Sequence, residues 1–318
     1  RIPKKQKSGI SLSSEPELTL KVEDAGEPMF YPLANKLITC KDKKHAFVSL
    51  VSGSTLYIDI LEGKVVKVLS SHEEKIEHMV LDSNEKFLAV VDASSRLSIW
   101  NIQEWNLDSF HQDIDHSSID CIRWKEESLI ICRNENDVID FDPFTKKIAN
   151  PYHGHREPLV SSLIIEDEIY TADSGNVKVW NTDTGLEVRS STMSQGVKRL
   201  LSCSDWTKIG LRNHFVLIDQ QGFAQIIEGK TFVTAEKRID LGENIAAPQL
   251  LKDKLWIVYS DLNSIRFISF ETAAIMKQVP LKGVSTFTLD SSRLFAFPDD
   301  TRLVIWDLDE EEIEQQLF

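Results

Sequence analysis

The chain has 318 residues, of which 42% are hydrophobic and 27% charged, with only 13 glycines. That apolar content separates it from disordered chains, and its apolar runs, such as Phe-Val-Ser-Leu-Val at 47–51, fall far short of the ~18 residues of a membrane-spanning helix. The formal net charge of −14 sets a mean field that repels a nucleic-acid backbone and favours basic partners.

The chain opens on a basic heptapeptide, Arg1-Ile2-Pro3-Lys4-Lys5-Gln6-Lys7, with no apolar segment behind it, so it does not read as a signal peptide. It reads either as part of a nuclear-localisation signal or nucleic-acid contact, or as a solvated tail. With no initiator methionine, the sequence is expected to be a fragment or a trimmed chain. Residues 1–17 are assigned to a flexible arm and 18–318 to one domain. Leu18-Thr19-Leu20-Lys21-Val22 alternates apolar and polar residues as a strand does. From about residue 36, short strand-like runs follow one another, such as Phe87-Leu88-Ala89-Val90-Val91 and Leu97-Ser98-Ile99-Trp100. Turn-forming clusters separate them, for example Asp92-Ala93-Ser94-Ser95 and Asp173-Ser174-Gly175-Asn176. Long capped segments of helical period are absent, which leaves an all-β sandwich, barrel or propeller. Cys40, Cys121, Cys132 and Cys203 form no CxxC pair, so reduced thiols are expected rather than a disulfide framework or a zinc cluster. No Asn-x-Ser/Thr sequon occurs either, which favours an intracellular protein, nuclear or cytoplasmic, with the nucleus preferred.

A strand ending recurs along the chain. It reads Leu56-Tyr57-Ile58-Asp59, Ser98-Ile99-Trp100-Asn101, Ile139-Asp140-Phe141-Asp142 and Lys178-Val179-Trp180-Asn181. It continues as Val216-Leu217-Ile218-Asp219, Arg266-Phe267-Ile268-Ser269 and Val304-Ile305-Trp306-Asp307, at spacings of 38–50 residues. Trp306-Asp307, with Trp100-Asn101 and Trp180-Asn181 one substitution away, resembles the signature of the WD-repeat β-propeller family. Gly154-His155 is similar to that family's Gly-His element, with weaker relics at Ser71-His72 and Asp115-His116. The resemblance implies a seven-bladed β-propeller of four-stranded antiparallel blades with degenerate repeats. Family members join a His, a Ser or Thr, an Asp six before the Trp, and the Trp in one hydrogen-bonded network. Here Asp300 keeps that spacing before Trp306 without a preceding His, while Ser94 and Ser174 stand six before Trp100 and Trp180. The blades are therefore expected to rest on apolar packing rather than on the network. An insertion of about ten residues is expected within 222–243. The ring could be closed by 312–318 or by 18–22, since both alternate like an outer strand.

No phosphate loop, dinucleotide fingerprint, zinc-protease motif or nucleophile elbow occurs, so no enzyme activity, cofactor, metal or small-molecule substrate is expected. By the family resemblance, partners sit on the channel face. The residues expected there are His72, Asp92, Arg96, His116, Glu135, His155, Arg156, Asp173, Arg212, Asp261 and Asp300. Their carboxylates would suit a basic peptide, or else are ordinary turn residues. Trp206 and Trp105 stand outside the repeat pattern and read as interface anchors or as core. The acidic run 307–314 reads as a solvated connection that a basic partner could use. The expected function is a non-catalytic interaction scaffold of a multi-protein intracellular complex, with a lean to nuclear or nucleolar ribosome biogenesis. A ubiquitin-ligase substrate receptor, and an accessory subunit of an RNA- or DNA-processing complex with indirect nucleic-acid association, are the alternatives.

Overall fold

The computed structural model describes residues 18–21 and 34–307, apart from 61, 63, 113–118, 134–136, 204–209, 212, 252–253, 262, 282–283, 285, 290–292 and 298–301. Every described element is a β-strand, and the strands form a β-propeller of four-stranded antiparallel blades. The first blade is Ala34–Thr39, His45–Leu50, Ser54–Asp59 and Lys64–Ser70. The second is Ile76–Leu81, Phe87–Asp92, Leu97–Asn101 and Asn106–His111, and the third Ile119–Lys125, Ser128–Arg133, Asp137–Asp142 and Lys147–His153. The fourth is Ser161–Ile165, Glu168–Ala172, Asn176–Asn181 and Glu187–Thr192. The fifth is Arg199–Ser202, His214–Ile218, Phe223–Glu228 and Thr234–Asp240, and the sixth Ala246–Leu251, Trp256–Ser260, Ser264–Ser269 and Ile275–Pro280. A last sheet joins Thr286–Leu289, Arg293–Phe297 and Arg302–Asp307 to Leu18–Lys21, with Thr19 opposite Val304. The expectation of seven blades is corrected to six, each built from four consecutive strands; the remaining, composite sheet joins both ends of the chain, with the strand at 18–21, one of the two expected closing strands, at its edge.

Burial across a blade explains the sequence pattern. The second strand is packed on both faces, so it is a continuous apolar run; Trp256–Ser260 is buried at every position. The fourth strand is half solvated and reads as polar, as in Thr234–Asp240, where only Ile239 is buried. First strands touch one another in chain order, and the first blade's touches that of the composite sheet. Apolar clusters lie between neighbouring sheets rather than within them. Phe47 and Leu69 meet Leu88 and Val90 at one seam. Val179 and Leu163 meet Phe215 and Leu217 at another. Phe295 of the composite sheet packs on Val48 and Leu56 of the first blade.

The fifth blade overturns one register. The run Val216-Leu217-Ile218-Asp219 is its second strand and not its third, which is Phe223–Glu228. The misreading has a local cause: a buried second strand followed by a turn aspartate has the same apolar-apolar-acid ending as a third strand. Residues 222–243 hold the third and fourth strands, so the extra length lies instead between Ser202 and His214, in the link from first to second strand.

Candidate functional site

The recurring dipeptide has a structural meaning. Its second residue accepts backbone N–H groups of the turn between third and fourth strands. Asn101 Oδ1 accepts from Gln103 and Glu104 at 3.1 and 3.2 Å, and Asn181 Oδ1 from Asp183 and Thr184 at 3.1 and 2.9 Å. Asp142 and Ser269 do the same in their blades. Side-chain capping of this kind suits short Asp, Asn and Ser side chains. Trp306 and Asp307 end the third strand of the composite sheet; their side chains lie outside the described residues.

The channel-face residues divide sharply. His155, Asp173 and Trp180 are all buried, and with Thr171 they make one network. Trp180 Nε1–H donates to Thr171 Oγ1 at 2.7 Å, the Thr171 hydroxyl lies 2.7 Å from His155 Nε2, and His155 Nδ1 lies 2.8 Å from Asp173 Oδ2. Read as a neutral histidine donating through Nδ1, every step has one donor and one acceptor. Burial holds the His155 pKa below its usual value against the opposing pull of Asp173, which agrees with that state. Gly154 precedes it at φ +154, where a Cβ would also lie 3.2 Å from Trp180 Cη2. The second blade holds a longer version. Trp100 Nε1–H donates to Ser71 Oγ at 3.3 Å, and Ser71 and Ser98 hydroxyls lie 3.0 Å apart. Ser98 Oγ is 2.8 Å from His72 Nε2, and His72 Nδ1 is 2.9 Å from Asp92 Oδ2, which also accepts from Arg96 Nε at 2.6 Å. The expectation that apolar packing replaces this network is thus corrected for two blades. The aspartates stand seven and eight residues before the tryptophans rather than six, so a fixed spacing missed them.

These bonds also correct the expected binding face. His72, Asp92, His155 and Asp173 are spent inside the fold and offer no surface to a partner. Asp261 caps its own turn through the Asn263 and Ser264 N–H groups and pairs with Arg266 at 2.8 Å. Arg156 is exposed. His116, Glu135, Arg212, Asp300 and Trp206 lie outside the described residues, as do 308–314 of the acidic run. Trp105 is no exposed anchor: it packs on Tyr57, ring centroids 4.7 Å apart, in the seam between the first two blades.

The channel wall carries residues that sequence reasoning missed. The first strands of the first three blades each shift register between their first and third residues, and the third residues are Lys36, His78 and Cys121. Polar groups here stitch neighbouring blades together. His78 Nε2 donates to Ile119 O at 2.9 Å, Cys121 Sγ lies 2.8 Å from Ser162 Oγ, and Leu200 N donates to Ser161 Oγ at 3.0 Å. A cavity of about 270 Å³ opens along the first strands of the third to fifth blades, bordered by Arg123, Ser161, Ser162 and Arg199. Arg199 is exposed by area, yet burial and then the neighbouring Arg123 hold its pKa below the usual arginine value, as befits a side chain on a concave wall. Lys36 is lowered by burial, against Glu77, with Arg199 and Lys75 adding to the depression. Burial first, then Lys36, push His78 down to about 4. Alternating polar residues in the first strands were the available signal, but residues so far apart in sequence give no motif. Among the described residues, no group of three His, Cys, Asp or Glu side chains is placed to hold a metal ion, and no helix is long and apolar enough to cross a membrane.

No family model and no curated protein sequence matches the chain. What the structure shows is the propeller-like arrangement of the sheets.

Proposed function

We propose that this chain is a divergent WD-type propeller acting as a non-catalytic interaction scaffold in a multi-protein intracellular complex, in the nucleus or nucleolus, with ribosome assembly as the leading setting. In this reading the composite sheet serves as the seventh blade and closes the ring. One observation carries the scaffold reading. Large apolar side chains are exposed at or near the start of the outermost strand in blade after blade: Leu107, Ile148, Leu186, Val188, Val233 and Ile275. Leu186 and Val233, on adjacent blades, are 68% and 64% exposed. A single exposed apolar residue is ordinary, but recurrence at one level of a rigid rim supplies apolar footholds for partner proteins. The basic-peptide reading now rests on the exposed Glu73, Glu74 and Glu157, because Asp92 and Asp173 are engaged within the fold.

Affinity purification of the full chain from its native source, read by mass spectrometry, tests the proposal. A stable set of assembly-factor proteins is expected. A Leu186→Asp/Val233→Asp variant should lose about nine-tenths of that recovery while melting within about 2 °C of the parent, since both sites are exposed. Recovery of a cullin adaptor would replace the scaffold reading with a substrate-receptor one, and recovery unchanged by the variant would remove the rim from it.

A further inference from the structure

We propose that the channel wall formed by the third to fifth blades is a binding site for a small, multiply charged phosphate anion. The observation is a local reversal of charge: on a chain with a net charge of −14, Arg123 of the third blade and Arg199 of the fifth border one cavity, and Lys36 of the first blade lies near enough to Arg199 to feel it as a like charge. Glu77 is the carboxylate among the described residues that reaches Lys36, and it already pairs with Lys75 at 2.9 Å. Arg199 feels Arg123 as a like charge, opposed by the neighbouring Cys121 thiol. Like charges held together in a concave, partly desolvated place raise the energy of the empty state, and an anion between them relieves it.

The chemistry of the wall suits phosphate. Two guanidinium groups offer planar pairs of N–H donors matched to oxyanion edges. Ser161 accepts from Leu200 N through its oxygen, which leaves its hydroxyl proton to donate. A cavity of about 270 Å³ accommodates phosphate or pyrophosphate and excludes a nucleic-acid duplex. The chemistry fits a free polyphosphate and a phosphorylated side chain alike; the small volume favours the free anion. The site is independent of the scaffold reading, because the apolar rim plays no part in it.

Calorimetric titration of pyrophosphate into the full-length chain at low salt tests the proposal, with a phosphoserine peptide run in parallel. One-site binding of pyrophosphate is expected, weakened about tenfold or more by Arg199→Gln and by Arg123→Gln. Lys230→Gln, at an exposed lysine away from the cavity, should leave it unchanged. The unliganded Arg199→Gln protein should melt at or above the parent temperature, which separates a ligand-binding arginine from a structural one. No heat at millimolar pyrophosphate, binding that survives both channel substitutions, or an equal loss on Lys230→Gln would overturn the site. Tighter binding of the phosphopeptide than of pyrophosphate would overturn the free anion as its ligand.

Discussion

Thr171 and Ser98 perform one task from opposite strands. Thr171 lies across from Lys178 as Val90 lies across from Ser98, so the hydroxyl that reaches the buried histidine has moved across one strand pairing. Thr171→Val should cost about 2–4 kcal/mol, because it leaves His155 Nε2 and the Trp180 N–H buried without partners. Ser98→Ala should cost less, about 1–2 kcal/mol, and adding Val90→Thr should restore part of it in urea unfolding. The same histidines set an acid limit. Burial lowers the pKa of His72, His78, His111 and His155, so the unfolded chain takes up protons first as pH falls. Their stabilisation is complete above about pH 6.5 and is lost as pH drops toward the folded values. For His78, lowered to about 4, the loss is on the order of 2 kcal/mol between neutral pH and about pH 5. Hydrogen bonds hold Asp92 and Asp173 low despite burial, which adds a second loss below about pH 4. Urea midpoints should fall steadily over this range; a midpoint flat from neutral pH to about pH 4.5 would contradict neutral, buried histidines.

At the level of the element, the turn between third and fourth strands explains the scarcity of glycine. Four residues after each capping side chain the backbone turns left-handed, at Trp105, Lys146, Gly185, Phe232 and Ala273. In four of these turns the N–H at that position closes back on the carbonyl of the capping residue, as Lys146 does on Asp142 at 2.8 Å. Only one of the five is glycine, although a left-handed residue with a Cβ costs roughly 1–2 kcal/mol. Trp105 and Phe232 return that cost by packing, but Lys146 and Ala273 are exposed. Lys146→Gly and Ala273→Gly should each stabilise the fold by up to about 1 kcal/mol, less the entropy of glycine. Gly53→Ala should do the reverse, since its Cβ would lie 2.5 Å from His72 O. Strand periodicity and the capping dipeptide made most third strands legible in the sequence, because their residues lie within one short segment. The fifth blade was misread because a turn aspartate at the end of a second strand carries the same local pattern. The histidine networks were partly hidden for a related reason: their partners sit at variable distances along the chain, and only the folded blade brings them into line.

For the whole molecule, stability lies in the seams. Each sheet buries its faces against the next, so the weakest seam governs whether the ring holds together. Phe295→Ala, at the seam between the composite sheet and the first blade, should cost about 3–5 kcal/mol in denaturant unfolding. The strand at 18–21 was readable as a candidate from its alternation, but its partner could not be read, because pairing across the length of the chain leaves no local trace. The channel cations were invisible for the same reason, being residues of distant blades that share only a lumen. The fold depends most on the pairing of Leu18–Lys21 with Arg302–Asp307, which joins the two chain ends in one sheet and covers the outer edge of its third strand. The direct measurement is mild oxidation of a Thr19→Cys/Val304→Cys variant, with the cross-link mapped by mass spectrometry and compared with the displaced pair Thr19→Cys/Arg302→Cys. A disulfide in the first pair, absent in the second and accompanied by a higher melting temperature, is the predicted result; no cross-link in the first pair, or equal cross-linking in both, would contradict it.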